Sequence, residues 1–121
     1  MAQAAARRVP LHRLAHARAG DKGDRLNIGL FCYREADFPL IAEQVTAQRV
    51  AALFAARRPR QVLRYDLPSL AAFNFVLEGV LGGGVNASLF LDGHGKTLSY
   101  RLLEATVTVP AAQLDALEKL P

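Results

Sequence analysis

Cysteine and aromatic residues are scarce in this sequence. Among its 121 residues there is one cysteine, Cys32, and no tryptophan, and aromatic residues make up 7% of the chain. A single thiol excludes any disulfide within the chain. Cys32 lies in the apolar stretch 30–33, where no neighbouring base or cation is available to lower the pKa of the thiol. We therefore interpret it as a small core residue and not as a catalytic thiolate.

A long apolar run is also missing at the start of the sequence. Residues 1–8 include alanines, but they are too few for a signal peptide or a membrane span. We therefore expect a cytoplasmic protein without membrane contact, in which residues 1–8 form a flexible N-terminus and residues 9–121 a single domain. The length and the hydrophobic share of 51% are typical of one globular domain.

The excess of positive charge is modest. The chain has 15 basic and 11 acidic residues, which gives a net charge of +4. The basic excess is concentrated in two arginine groups: Arg7, Arg8, Arg13, Arg18, and then Arg57, Arg58, Arg60. Neither group is accompanied by aromatics spaced for base stacking or by a helical nucleic-acid motif, so we do not expect nucleic-acid binding. Exposure to solvent, or contact with an acidic ligand or partner, explains these arginines better than nucleic-acid binding does.

The histidines and serines do not form a recognisable catalytic or metal motif. The spacing of His12, His16 and His94 relative to nearby Cys, Asp or Glu matches no metal site, and on one extended strand His12 and His16 would be about 13 Å apart. None of the serines lies in a G-x-S-x-G turn. We therefore predict no metal and no cofactor, and hydrolysis has no support.

Apolar alternation predicts three strands before residue 68, over residues 9–17, 26–33 and 62–67. Between the second and third strands, residues 38–57 have a helical period in two phases. Thr46 is a good N-cap for the second phase, so we predict two short helices or one kinked helix.

The second half of the sequence predicts two helices and a hairpin. Ser69 is suited to begin a helix, Gly82 is suited to end it, and its apolar face would consist of Leu70, Phe73, Leu77, Leu81. A hairpin is predicted from strand 85–91 to strand 98–109 around a turn at 92–95, with a bulge near Leu102. A short helix over 111–120 follows.

This element order, ββαβαββ plus a C-terminal helix, predicts an α+β fold. We expect a sheet of about five strands with the helices packed on one face. The other face of such a sheet would be open, and an exposed apolar surface of that kind is usually covered by a partner or by self-association. A homo-oligomer is therefore expected.

The segment Gly20–Asp24 has the densest collection of functional groups. It contains two glycines, two carboxylates (Asp21 and Asp24) and Lys22 between two predicted strands. Glycines permit positive φ and close approach of a ligand to the backbone, and a lysine can hold a phosphate or carboxylate. The segment lacks the spacing of a Walker A loop. A charged turn without a ligand remains the alternative interpretation.

Asn74 and the glycine run after it are further candidates. Asn74 lies at the edge of the apolar face of the predicted 69–81 helix, where a buried amide needs either sheet backbone or a ligand as its partner. The glycines Gly82, Gly83 and Gly84 could surround an anion, but they follow a predicted helix C-terminus, where the dipole disfavours negative charge. A flexible cap is the alternative.

Several of these motifs together resemble a known family. The motifs that carry the resemblance are Gly20-Asp21-Lys22-Gly23-Asp24, Asn27-Ile28-Gly29, Asn74-Phe75-Val76-Leu77 and Gly82-Gly83-Gly84. Over roughly residues 14–109 the chain is similar to the small ferredoxin-like module at the C-terminus of acyclic terpene utilisation protein A, the AtuA-like family. The resemblance implies a ferredoxin-like α+β sandwich and a place in bacterial acyl-CoA-linked catabolism of branched or terpenoid acids. It also adds Asn27 to the expected ligand-binding residues.

The resemblance leaves three functional hypotheses. In the family the module commonly follows a much larger domain, which this sequence does not contain, so an accessory or binding module that assembles with itself and with a larger AtuA-like protein is expected first. The second hypothesis is a small acyl-CoA lyase, hydratase or isomerase, with Asp21 or Asp24 as acid or base and Lys22 stabilising an enolate. The third is a purely structural oligomer. An acyl-CoA or another anionic small molecule is the expected ligand.

Overall fold

The computed structural model describes residues 6–79 and 98–118. Within these ranges the main sheet has four antiparallel strands in the order β2-β3-β5-β4. Their bounds are Ala15–Lys22 for β2, Arg25–Cys32 for β3, Gln61–Leu67 for β4 and Ala72–Glu78 for β5. A separate two-stranded sheet pairs β1, Arg7–Pro10, with β6, Thr106–Val109.

One face of the main sheet, here called the inner face, forms the core. On β3 its residues are Leu26, Ile28 and Leu30, which are all fully buried. They pair with fully or nearly fully buried residues of β5, namely Leu77, Phe75 and Phe73. The predicted apolar face of the 26–33 strand is therefore confirmed, and β3 lies in the sheet between β2 and β5.

Two short helices cover the inner face. They are α1, Phe38–Gln44, and α2, Ala47–Leu53. The predicted break at Thr46 is confirmed, since its side chain accepts a hydrogen bond from the backbone N–H of Arg49 at 3.1 Å and caps α2. Ile41 and Val50 belong to the same core cluster as the apolar residues of the sheet.

The C-terminal part adds two more helical segments to this core. Residues 98–104 are helical and form the described part of α3, and α4 spans Ala111–Glu118. Leu98, Leu102 and Leu114 are buried in the same cluster. The predicted C-terminal helix is confirmed up to its last described residue.

The predicted helix over residues 69–81 is wrong. Residues 68–70 form one 3-10 turn, and Ala72–Glu78 form the central strand β5. Phe73, Phe75 and Leu77 alternate onto the inner face, which is a period of two and not a helical stripe. Aromatic and β-branched residues favour this strand, and pairing with two neighbours outweighs the helix propensity of Ala72, Leu77 and Glu78.

Two other predicted strands need correction. The strand over 9–17 is interrupted because Leu11–Arg13 form a 3-10 turn, in which the N–H of Leu14 donates to the carbonyl of Leu11 at 2.9 Å. Both leucines thereby enter the core. The strand over 98–109 begins only at Thr106, so the predicted phase change near Leu102 marks a helix before a strand and not a bulge. The predicted strand 85–91 and turn 92–95 lie outside the described residues.

The α+β class with helices on one face of an antiparallel sheet is confirmed. The described strands form a sheet of four and a pair, where a single sheet of about five was expected. No helix in the described ranges is long and apolar enough to cross a membrane.

Candidate functional site

The Gly20–Asp24 segment is a hairpin and not an open loop. Gly20, Asp21 and Lys22 belong to β2, and only Gly23 and Asp24 connect it to β3. Lys22 is paired directly with Arg25. Gly23 has φ +65°, whereas Asp24 has no positive φ, which is the sign pattern of a type II′ turn with glycine first. The hairpin therefore explains why the sequence places a glycine at position 23.

Asp24 holds this turn against the rest of the sheet. Its carbonyl accepts a hydrogen bond from the N–H of Gly79 at 3.0 Å, and its Oδ2 lies 3.4 Å from Nη1 of Arg60. Arg60 also donates its backbone N–H to the carbonyl of Glu78 at 2.8 Å. We assign Asp24 a positioning role at the end of the sheet.

A surface depression of about 280 Å³ lies beside this turn. Its lining residues are Gly20, Asp21, Lys22, Arg25, Asn27. Except for Asp21, they alternate onto the face of the sheet opposite the core, here called the outer face. The structure therefore brings together four of the seven predicted site residues that it describes: Gly20, Asp21, Lys22 and Asn27.

Glycines form the floor of this region. Gly20 is exposed, and a Cβ built on it would meet no atom within 4 Å. Gly29, which is paired with Arg18, is covered instead by the ring of Phe31, whose Cε1 would lie 2.9 Å from a Cβ at position 29. The outer face thus has bare backbone at Gly20 and an aromatic ring next to it.

Several polar side chains on this face have no protein partner. In the part of the chain that the structure describes, Arg18, Lys22, Asn27 and Asn74 make no side-chain hydrogen bond or ion pair. Arg25, by contrast, is half-exposed and places Nε 2.9 Å from Oε2 of Glu78. Two free cations and two free amides therefore lie on one face of β2, β3 and β5.

Asn74 was expected at the edge of a helix, and it lies on the outer face of β5 instead. It is paired with Gly29 on β3 and with Tyr65 on β4. Asn27, on β3, is paired with Val76, so the two amides are diagonal neighbours on the same face. Gly82, Gly83 and Gly84 lie outside the described residues.

The candidate acid and base residues do not converge. Side chains of consecutive strand residues point to opposite faces, so alternation directs Asp21 away from Lys22. Asp24 is engaged with Arg60. Asp21 and Lys22 both line the depression, but their side chains leave β2 on opposite faces, so the geometry suits anion binding better than proton transfer.

Cys32 is half-buried against the core. Burial raises the pKa of its thiol to about 11, and the nearby charge of Asp37 acts in the same direction. Such a thiol is almost entirely protonated at neutral pH, which agrees with its interpretation as a structural residue.

The end of the outer face away from the turn is aromatic and apolar. The ring of His16 is stacked between Phe31 and Tyr33, with centroid distances of 5.1 and 5.6 Å. Large side chains are exposed nearby, namely Tyr33, Tyr65, Leu67 and Leu70. The outer face therefore combines a cationic half on β2 and β3 with an apolar half along β4 and its connection to β5.

Sequence reasoning missed Arg18, Arg25 and Phe31 as site residues. Arg18 and Phe31 share the outer face with Gly20 by alternation, and Arg25 directly follows the turn. Strand alternation could have placed Arg18 with Gly20 if β2 had been predicted to continue through Lys22.

The comparisons with known proteins gave one match. A family model described as the AtuA ferredoxin-like domain matches residues 9–108, which include the whole described four-stranded sheet. No curated protein shows significant similarity to the chain. No solved structure does either.

Proposed function

The chain belongs to the AtuA ferredoxin-like domain family, and on this premise we propose that it is an accessory binding module of bacterial acyl-CoA-linked catabolism. Its ligand is an acyl-CoA or another anionic small molecule derived from a terpenoid or branched acid. It assembles with itself and with a larger AtuA-like protein in the cytoplasm. The observation that supports this most directly is the outer face of the described sheet, which has unpaired cations on β2 and exposed apolar side chains on and after β4.

Binding is favoured over independent catalysis by the geometry of the candidate residues. A general acid or base must come within hydrogen-bond reach of the proton it transfers. Asp24 is held by Arg60, and Asp21 lies on the other side of β2 from Lys22. A module of this kind contributes ligand contacts to a shared site, and the reacting groups come from the partner.

The test is affinity purification of the tagged chain from its native host, followed by mass spectrometry and an activity assay of whatever co-purifies. We expect a larger protein in stoichiometric amount and acyl-CoA turnover by the complex only. An untagged strain is the control for nonspecific capture. Acyl-CoA turnover by the isolated chain, lost on combined substitution of Asp21, Lys22 and Asp24 by alanine, would instead establish the small lyase, hydratase or isomerase.

A further inference from the structure

We infer that the depression at Gly20, together with Arg18 and Phe31 beside it on the outer face, binds a small organic anion in a defined orientation. The charged group lies over Gly20 between Arg18 and Lys22, and an apolar or planar part of the same molecule lies against Phe31. This inference rests on the proposed function and specifies its ligand chemistry: a carboxylate or phosphate joined to an apolar group at short distance.

The cations determine where the charge binds. Arg18 and Lys22 precede and follow Gly20 by two residues on β2, so all three share the outer face. Their Cα atoms are about 13 Å apart, and both side chains are long enough to meet above the glycine. Neither forms an ion pair or a side-chain hydrogen bond in the described structure. A bound anion would therefore interact with two cations that are not already paired, while Asp21, the carboxylate at the edge of the depression, leaves β2 on the opposite face.

The floor and its neighbours determine how closely the anion approaches. Gly20 has no side chain, and the space above it is open. Asn27 is paired with Gly20 across the hairpin, and Asn74 lies diagonally from Asn27 on the next strand. The Asn27 amide makes no hydrogen bond within the described residues, so it offers a donor to a carboxylate or phosphate oxygen over Gly20, whereas Asn74 lies farther from the charge.

Phe31 determines where the apolar part of the ligand binds. Its ring lies over Gly29, which is paired with Arg18. Gly20 is two residues further along β2, at a separation of about 7 Å along the strand. An inorganic anion would make no apolar contact with this ring, and a neutral apolar molecule would make no ionic contact with either cation. A molecule that contacts both the cations and the ring must carry its charge and its apolar group about 7 Å apart.

The probes are phenyl phosphate, benzoate, inorganic phosphate and phenol, titrated into the isolated chain and followed by NMR chemical shifts. We expect phenyl phosphate or benzoate to bind at least about tenfold more tightly than inorganic phosphate or phenol, with the largest shifts at Gly20 and Gly29. Comparison of the first two probes identifies phosphate or carboxylate as the preferred charge. Equal affinity for phenyl phosphate and inorganic phosphate would refute the orientation against Phe31.

Three variants and one control locate the site. Gly20→Val fills the floor, Lys22→Ala removes a cation and Phe31→Leu removes the ring, while Arg7→Ala removes one charge from the separate two-stranded sheet. Binding should fall at least about tenfold in the first two variants, and Phe31→Leu should abolish only the preference for aromatic anions. Arg7→Ala should bind normally.

The outcome stays decisive if one variant does not fold. Within the described residues Lys22 makes no side-chain hydrogen bond or ion pair that its removal would break, so Lys22→Ala alone tests the cation. Unchanged affinity in Lys22→Ala and Arg18→Ala would overturn the inference. Failure to recover a larger partner would count against the proposed function alone, because these titrations use the isolated chain.

Discussion

At the scale of single residues, a buried carboxylate links the helices to the C-terminal segment. Asp37 is fully buried, and Arg34 donates to it through Nε and Nη2 at 2.8 Å each. Gln113 of α4 adds a hydrogen bond from Nε2 to Oδ1 at 3.2 Å. Paired, bidentate geometry is the condition under which a buried charge is tolerated.

Replacing Arg34 by alanine should therefore destabilise the protein severely. Asp37 would remain buried without its cation, which costs about 3 kcal/mol of unfolding free energy. Urea denaturation measures the loss. Arg34→Lys, which keeps the charge but not the two parallel hydrogen bonds, should lose less, and a loss below about 1 kcal/mol in Arg34→Ala would show that the pair contributes little.

Arg64 shows how a cation can occupy the inner face of a sheet. Its Nη1 donates to the carbonyls of Ala42 and Val45 at 2.6 and 3.1 Å, and its guanidinium lies 5.2 Å from the ring centre of Phe73. Carbonyls at a helix C-terminus lack intrahelical donors. Arg64 supplies donors to these carbonyls, and thereby fixes α1 to β4.

At the scale of secondary structure, two glycines of one hairpin have different roles. Gly23 adopts φ +65°, which a side chain makes unfavourable, whereas Gly20 lies within β2 and has open space around its Cα. The turn needs glycine at the first position for conformational reasons. By contrast, no neighbouring atom of the protein requires a glycine at the floor of the depression.

Substitution should separate these roles. Gly23→Ala should lower the unfolding free energy by about 1 to 2 kcal/mol, since a Cβ opposes the left-handed conformation. Gly20→Ala is the matched control and should change it by less than about 0.5 kcal/mol. Thermal and urea unfolding check both values, and equal losses at the two positions would contradict the assigned turn geometry.

At the scale of the whole molecule, the main sheet has one face in the core and one in solvent. Tyr65 and Leu67 on β4 are 51% and 40% exposed, and Leu70 in the following turn is 64% exposed. These residues lie on the apolar half of the outer face, away from the depression at Gly20. We expect self-association to use this half and to leave the cationic half accessible to a ligand.

A charge on the apolar half should therefore weaken assembly. Leu67→Lys is expected to shift the protein towards monomer and to raise the dissociation constant at least about tenfold, because a lysine is costly to desolvate in an interface. Sedimentation measures the change. Ala52→Lys, which adds the same charge on the exposed side of α2, should assemble normally, and a monomeric wild-type chain would exclude this interface.

Local sequence patterns determined the features that depend on neighbours along the chain. The alternation of Leu26, Ile28 and Leu30 predicted β3, and Thr46 predicted the break between α1 and α2, because a strand face and an N-cap are set within a few residues. The glycines and charges at 20–24 identified a segment that contributes three residues to the lining of a surface depression, and its role as a binding site stays a prediction.

Tertiary structure decided the features that depend on pairing between distant segments. Residues 72–78 match both a helical stripe and a strand, and they form β5 because β3 and β4 on either side supply backbone partners and bury Phe73 and Phe75. The same pairing placed Asn74 beside Gly29. Which residues share the outer face follows from register, and register joins strands that are far apart in the sequence.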